Sequence, residues 1–534
     1  MMKKAYLILC LMLGCSALMA RQNIPTKLPN PEVKVSNAKA KQPMAEALVL
    51  QGDYPDPTII RDGKWYYMTH SAFDYIPGLT VMRSKNLQDW EPIGYALDEY
   101  IGSIWAPDIC KYKGRYYIYF TVAAKGQKFK NFVVYTDDIV KGKWSKPIDL
   151  HVDSKIDPCH VVDEKTGERW LFVSGGNRVK LSADGLSAVG KLEHVYQGWK
   201  IPRDWEIEST SLEGPKLKRV GDYYYYLSAQ GGTSGPATSH MVVVARSKDL
   251  SAGSSSNFSN SSNSSNTASP TQVWENMPDN PLIHTWKPSE QWQSKGHGSL
   301  VDDGKGNWYV VFHSYEKYFQ SLGRNTLIEP VVRTADGWWI APIDTLLESN
   351  VKPILLQRDL GAFRVGYDWK AYMDYNASRY HFANRQVTIS GKGDNPAASS
   401  PLLFVAGAHR YEITVKVSRE GNAVAGLTLY YNKENYAGIG FDANMRYRFR
   451  RAQKSRSGSW RGNQPLWLKV QMVDNVMTAF TSYDGEKWQK ETSSIELSGY
   501  NHNTLGDYQS VLPGIFVYGD GKATFSDFSF RILK

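Results

Sequence analysis

The hydrophobic positions of the chain form short, aromatic-rich runs, and each run follows a polar turn that contains glycine. The five copies of this pattern are Asp62-Gly63-Lys64-Trp65-Tyr66-Tyr67, Lys113-Gly114-Arg115-Tyr116-Tyr117, Thr166-Gly167-Glu168-Arg169-Trp170, Val220-Gly221-Asp222-Tyr223-Tyr224 and Lys305-Gly306-Asn307-Trp308-Tyr309. Their glycines stand 51, 53, 54 and 85 residues apart. A repeat of about fifty residues built from short hairpins is typical of a β-propeller blade. Five copies predict a five-bladed β-propeller over residues 45–345.

The rest of the chain has a different pattern. Residues 251–270 are a Ser/Asn tract that cannot bury a core, and we expect a disordered loop there, which accounts for the one long interval. Residues 346–367 are predicted to be a connector. From residue 368 to 534 apolar and polar positions alternate, as in Tyr411-Glu412-Ile413-Thr414-Val415, and this predicts half-buried strands. The sequence therefore predicts an all-β chain in which a jelly-roll β-sandwich follows the propeller.

The first twenty residues have the composition of an export signal. Lys3 and Lys4 form a basic end, an apolar run follows, and small residues precede Arg21. We predict a signal peptide over residues 1–20 and an exported, periplasmic or extracellular protein. Cys15 follows Leu13-Gly14, as in a bacterial lipoprotein box, and lipidation there is the alternative. The apolar run is too short for a transmembrane helix of the mature chain.

The charge of the chain does not indicate a nucleic-acid partner. The formal net charge is +10, but the 63 Lys and Arg residues are scattered among 53 Asp and Glu residues. Most of this charge is therefore predicted to lie on a solvated surface.

One polar residue precedes each repeat glycine within an otherwise apolar and aromatic strand. In a propeller the innermost strands surround one central axis, so equivalent positions of successive blades converge there. Reading back six to ten residues from each repeat glycine gives Asp56, Asp108, Asp157, Glu213 and His297. Acids at single strand ends often only bond to backbone, but five ionisable groups at one axis indicate a functional site.

Clustered carboxyl groups suit the cleavage of glycosides. One must stay protonated to donate to the leaving oxygen, and another must stay ionised to activate water. A third carboxylate raises the pKa of the acid. The sequence contains no Walker loop, no His-Glu-x-x-His and no Gly-x-Ser-x-Gly motif, so nothing indicates phosphoryl transfer, zinc proteolysis or esterase chemistry.

Several short motifs together resemble, in order and spacing, glycoside hydrolase family 43, the β-xylosidases and α-L-arabinofuranosidases. These motifs are Tyr54-Pro55-Asp56-Pro57, Trp105-Ala106-Pro107-Asp108, Ile156-Asp157-Pro158, Leu212-Glu213-Gly214-Pro215 and Gly296-His297-Gly298. The resemblance spans residues 50–345, and the tail is similar to the β-sandwich of the two-domain xylosidases. It implies that Asp56 is the general base, that Glu213 is the general acid, that Asp157 tunes and orients the acid, and that hydrolysis inverts the anomeric configuration.

The resemblance also implies residues that contact the sugar. Arg324 matches the arginine of the first subsite, and Phe73 and Trp105 match aromatic walls, although aromatic residues also pack within blades. His297 matches an axial histidine near a water or metal ion. No cofactor is required, and a structural Ca²⁺ on the propeller axis is the one ion that the resemblance allows. Asp108 is interpreted as structural.

One departure from the family pattern concerns the substrate. Ala229-Gln230-Gly231-Gly232-Thr233 stands where the resemblance predicts Ala-Glu-Gly-Gly-Thr. The prediction is an exo-acting hydrolase that releases terminal β-D-xylose or α-L-arabinofuranose from plant polysaccharides or oligosaccharides. The alternatives are an endo-arabinanase, a galactosidase and a non-catalytic sugar-binding propeller. The sandwich could bind polysaccharide, supply a loop to the pocket or brace the propeller.

Overall fold

The computed structural model describes residues 47–250, 274–342, 358–459, 465–491 and 493–534. The predicted signal peptide, the Ser/Asn tract and most of the predicted connector lie outside these residues, so those three assignments and the domain boundaries stay predictions. Within the described residues no helix is both long and apolar enough to cross a membrane.

The first two blades follow a short opening strand, β1 (Ala47–Leu50). In each blade the strands are antiparallel neighbours in chain order. The strands up to the end of the second blade are β2 (Thr58–Asp62), β3 (Trp65–Thr69), β4 (Tyr75–Ile76), β5 (Gly78–Ser84), β6 (Glu91–Leu97), β7 (Ser103–Tyr112), β8 (Arg115–Ala123), β9 (Lys130–Thr136) and β10 (Ile148–Asp153). Strand β4 leaves its blade and pairs with the sandwich.

Three further blades complete the propeller. Their strands are β11 (Cys159–Val162), β12 (Arg169–Val173), β13 (Asn177–Leu181), β14 (Ala188–His194), β15 (Leu212–Val220), β16 (Tyr223–Gln230), β17 (Met241–Ser247), β18 (Glu275–Asn276), β19 (Ile283–His284), β20 (Trp292–Asp302), β21 (Trp308–Glu316), β22 (Arg324–Arg333) and β23 (Trp339–Ile340). The first strands of successive blades, β2, β7, β11, β15 and β20, contact one another in a closed ring. Strand β1 pairs with β22 and so joins the start of the chain to the last blade.

The C-terminal part folds into two packed antiparallel sheets. Its strands are β24 (Lys370–Tyr372), β25 (Tyr380–Ala383), β26 (Gln386–Ser390), β27 (Leu402–Leu403), β28 (Arg410–Gly421), β29 (Val424–Tyr430), β30 (Tyr436–Phe441), β31 (Met445–Arg450), β32 (Gln453–Ser459), β33 (Leu466–Val473), β34 (Val476–Ser482), β35 (Gln489–Lys490), β36 (Ile495–Glu496), β37 (Leu512–Tyr518) and β38 (Gly521–Ile532). One sheet has the order β32-β31-β30-β29-β37-β27-β24-β4, and the other β25-β26-β38-β28-β33-β34-β35 with β36 beside β34.

Helical structure is minor in the described chain. It comprises helix α1 (His502–Leu505) and 3-10 turns at Gln320–Leu322, Leu360–Ala362 and Ala377–Arg379. The predicted all-β fold class, a five-bladed propeller with a C-terminal β-sandwich, is confirmed.

The propeller and the sandwich share one hydrophobic core. In the common sheet Tyr75 of β4 pairs with Tyr372 of β24, and Ile76 pairs with Ala371. A continuous buried cluster runs from the first two blades into the sandwich and includes the fully buried Trp369. Apolar area buried at this junction holds the two domains together, because separating them would expose it to water.

Candidate active site

A pocket of about 420 Å³ opens at the end of the propeller where the inner strands begin. All seven residues predicted for the site line it, and they are Asp56, Phe73, Trp105, Asp157, Glu213, His297 and Arg324. Six further residues line the pocket. Ala106, Ile156 and Thr233 stand within the motifs quoted above, whereas no motif indicated His240, His313 and Tyr508.

An unusual backbone conformation directs four of the predicted side chains. Asp56, Phe73, Asp157 and His297 have positive φ values of 55°, 45°, 60° and 55°. The left-handed region costs a residue with a Cβ roughly 1–2 kcal/mol, so such residues persist only where their surroundings enforce them. Register irregularities also interrupt β15 after Glu213 and β20 on both sides of Gly296. The inner strands are thus distorted where the site residues stand, as is common next to active sites.

Asp56 is a buried carboxylate held by several donors. Its carboxyl accepts a 2.5 Å hydrogen bond from Ser71 Oγ and a 3.1 Å bond from Arg324 Nη1. His297 Nδ1 lies 3.3 Å from Asp56 Oδ1. Burial raises the pKa of this carboxyl, but the Arg324 charge and the hydrogen bond and charge of His297 outweigh burial and hold the pKa well below its usual range. Asp56 is therefore ionised at neutral pH.

Glu213 has the opposite environment. It is half-buried, and none of the described residues donates a hydrogen bond to its carboxyl. Burial, followed by the charges of Asp157 and Asp56, raises the pKa of Glu213 to about 8. Burial also raises the pKa of Asp157, whose Oδ2 accepts a 2.9 Å hydrogen bond from Gly214 N–H. One pocket thus holds an ionised and a protonated carboxyl group at pH 7.

The axial position of the pocket contains two histidines. Asp56 N–H donates to His313 Nδ1 at 3.0 Å, so His313 Nε2 carries the proton and donates to Thr233 Oγ1 at 3.0 Å. His297 Nε2 is buried without a hydrogen-bond partner among the described residues, an arrangement that a bound water would satisfy.

The predicted Ca²⁺ does not fit this group. Ligand atoms of Asp56, His297 and His313 lie within 4.8 Å of one another. Two of the three are nitrogen atoms, whereas Ca²⁺ takes roughly six to eight oxygen ligands. The guanidinium of Arg324 also lies 3.1 Å from the one carboxylate oxygen and would repel a cation. The chemistry of the carboxyl groups requires no cofactor.

The sandwich supplies one wall of the pocket. The ring of Tyr508 lies parallel to that of Phe73, with centroids 6.4 Å apart, and stands edge-on to Trp105 at 5.4 Å. His502 also stacks on Tyr508, with ring centroids 4.1 Å apart. Of the three roles left open for the sandwich, the structure therefore shows that it contributes a loop to the pocket and shares its core with the propeller.

Asp108 and Gln230 lie outside the pocket. Asp108 Oδ1 forms a buried ion pair of 3.1 Å with Lys216 and its Oδ2 accepts His160 N–H at 2.9 Å, so this acid joins the second blade to the third and fourth. The Gln230 amide bonds to the backbone of Trp199 and does not face the sugar pocket. His313 could have been suspected as a lone histidine in an apolar strand, but no sequence signal connects Tyr508 to the axis.

Comparison with known proteins agrees with this geometry. The model of the family described as glycosyl hydrolases family 43 matches residues 46–339, more than half of the chain. The chain belongs to this family. The predicted resemblance is confirmed, and this family 43 protein is a glycosyl hydrolase. Residues 394–531 match a second model, described as a β-xylosidase C-terminal concanavalin A-like domain.

Two of its relatives match over most of the chain and therefore over both domains. The chain is 29% identical to the non-reducing end α-L-arabinofuranosidase BoGH43B of Bacteroides ovatus, over 93% of this chain and 97% of that one. It is 24% identical to a putative β-xylosidase of Escherichia coli, over 88% and 94% of the two chains. The crystal structure of the GH43 protein BlXynB from Bacillus licheniformis has the same fold, with a TM-score of 0.78 and 23% identity over 91% of this chain and 100% of that one.

Proposed function

We propose that the protein removes single terminal β-D-xylosyl or α-L-arabinofuranosyl units from plant cell-wall polysaccharides or oligosaccharides, with inversion. The observation that carries the mechanism is the opposite protonation of two carboxyl groups in one pocket: Asp56 ionised, Glu213 with a pKa of about 8. Relatives named as arabinofuranosidases and xylosidases support the choice of sugar.

The proposed reaction is a single displacement. Asp56 takes a proton from a water molecule as the water oxygen forms a bond to the anomeric carbon. The bond from that carbon to the leaving oxygen breaks while Glu213 donates its proton to this oxygen. Arg324, fixed by its 3.1 Å contact to Asp56, would bind a sugar hydroxyl. Burial, assisted by the Asp157 charge, keeps Glu213 protonated.

The aromatic wall of the pocket supports exo action. Phe73 and Trp105 both contact the ring of Tyr508 at the pocket, and a wall of this kind favours a terminal sugar over a chain that passes through. An endo-arabinanase or a galactosidase remains the alternative, and internal cleavage products from linear arabinan or release of galactose would favour it.

Hydrolysis of 4-nitrophenyl β-D-xyloside and α-L-arabinofuranoside tests the proposal. We expect release from at least one, and loss of most activity in Asp56→Asn and in Glu213→Gln. Proton NMR of the first turnovers should show the inverted anomer. Absence of release from both pentosides, or initial formation of the retained anomer, would contradict the proposed substrate or mechanism.

We also propose that the protein is exported to the periplasm or beyond, on the basis of the basic and apolar pattern of residues 1–20. Mass spectrometry of the protein recovered from cell fractions should give a mature chain that begins at Arg21. A chain that begins at an acylated Cys15 would establish the lipoprotein alternative, and an intact Met1 would refute export.

A further inference from the structure

A cluster of aromatic side chains that the proposed catalysis does not use lies beside the fourth blade. It consists of Trp199, Trp205, His284 and Trp286 and is called the aromatic rim below. The Trp205 ring stacks on His284 with centroids 4.9 Å apart and an interplanar angle of 13°. Trp199 and Trp286 meet Trp205 edge-on at 5.8 Å and 6.0 Å. Trp286 is 49% exposed, and Trp199 and Trp205 are half-buried, so the cluster presents apolar surface to solvent.

The topology places the aromatic rim on the pocket face, on the side of Glu213. Trp199 and Trp205 belong to the segment 195–211, which leads into β15. Trp286 belongs to the segment 285–291, which leads into β20, and His284 directly precedes that segment. Both strands begin at the pocket end of the axis, and Glu213 is the second residue of β15. Glu208, between the rim and the acid in sequence, is close enough for its charge to raise the pKa of Glu213.

The exposed Trp286 is held in a fixed position. The backbone N–H groups of Trp286 and Lys287 both donate to Glu290 Oε1 at 2.8 Å. Lys295, which is almost fully buried, donates to Glu290 Oε2 at 3.3 Å. Underneath, His284 is fixed by a 2.8 Å hydrogen bond between Nε2 and Thr238 O. Such a turn presents the indole without a large entropic cost on binding.

Gln230 fixes the other end of the rim and explains the departure from the family pattern. Its Oε1 accepts Trp199 N–H at 2.9 Å, and its Nε2 donates to Trp199 O at 2.9 Å. An ionised glutamate at this position could accept the first bond but could not donate the second. The glutamine amide therefore holds the Trp199 backbone in place through a bond that the predicted glutamate could not donate.

We propose that the aromatic rim binds the sugar chain from which the terminal unit is removed. This inference rests on the proposed function, because a general acid at Glu213 places the leaving group on its own side of the pocket. Burial lowers the pKa of His284 to about 4, so the rim is uncharged at neutral pH. Flat, neutral indole surfaces suit the C–H faces of uncharged sugar rings, and exposed aromatic patches beside a pocket mark binding surfaces. The enzyme thereby favours long chains over short glycosides.

The test compares substrates with and without a sugar chain on the leaving side. We measure kcat/KM for the 4-nitrophenyl pentosides and for linear xylo- and arabino-oligosaccharides of two to six units, in wild type, Trp286→Ala and Gln230→Glu. Tyr483→Ala, which removes a 62% exposed aromatic of the sandwich, is the matched control. Truncation of a central aromatic at a binding surface lowers affinity about tenfold. We expect such a loss for the longer oligosaccharides in both rim variants, with nitrophenyl turnover within about twofold of wild type and no change in the control.

The outcomes separate the inference from the function on which it rests. Two outcomes overturn the inference about the rim but leave the proposed function intact. One is an active wild type whose kcat/KM does not rise with chain length, and the other is a Trp286→Ala variant whose kcat/KM falls equally on all substrates. A wild type inactive on both pentosides overturns the proposed function. In that case the affinity of wild type and Trp286→Ala for the hexasaccharides, measured by calorimetry, tests whether the rim binds sugar. Weaker binding in Trp286→Ala supports a sugar-binding surface, and equal binding refutes it.

Discussion

The proton of Glu213 should be sensitive to the charge of Asp157. Burial is the largest influence that raises the pKa of Glu213 to about 8, and the Asp157 charge is the next. Asp157→Asn removes this charge with little change of shape, and the asparagine carbonyl can still accept the 2.9 Å hydrogen bond from Gly214 N–H. A nearby like charge shifts a pKa by roughly one to three units. We expect the pKa of Glu213 to fall to about 5–7, with burial keeping it above its ordinary value.

The pH dependence of kcat/KM on a nitrophenyl pentoside between pH 4 and pH 10 measures this shift. A general acid works only when protonated, so the alkaline limb of the profile reports its pKa in the free enzyme. At pH 7 about nine-tenths of wild-type Glu213 carries its proton, but only about a quarter would do so at a pKa near 6.5. Glu208→Gln removes a weaker influence and should shift the limb less. A limb that stays near pH 8 in Asp157→Asn, or that moves further in Glu208→Gln, refutes this explanation.

Three further changes test other parts of the structure. A raised carboxyl pKa means that the native state holds its proton more tightly than the unfolded chain, so wild type loses stability as pH rises from about 4.5 to about 8. The melting temperature of Glu213→Gln should therefore lie a few degrees above that of wild type at pH 9, whereas the two should be the same at pH 4. Identical melting temperatures at pH 9 would contradict the assigned environment. Tyr508→Ala should lower kcat/KM about tenfold while Tyr508→Phe retains it, since the ring forms the pocket wall; the two variants must differ in kinetics but not in melting temperature. Asp108→Asn leaves Lys216 as a buried charge and should cost about 3–5 kcal/mol in urea unfolding, with kcat/KM of the folded protein retained. A loss of activity at Asp108 equal to that at Asp56 would refute the separation of structural and catalytic acids.

The sequence by itself determined the blades and the acids on their axis. Glycine turns and aromatic strands are local signals, and their repetition predicts a ring of similar blades. Equivalent positions of these blades must then face the same axis. Asp56, Asp157 and Glu213 could therefore be placed together from their register alone. The same register also brought Asp108 to the axis. The family resemblance led to its interpretation as structural, and its ion pair with Lys216 supplies the physical reason.

The tertiary structure decided what depends on contacts between distant segments. Tyr508 reaches the pocket because β4 of the first blade pairs with the sandwich, and no periodicity within either domain encodes that docking. The pKa values of Asp56 and Glu213 differ because one carboxyl faces Arg324 and the other faces carboxylates, and such fields depend on distances in space. The role of Gln230 likewise emerged only from its two bonds to a loop about thirty residues away in sequence.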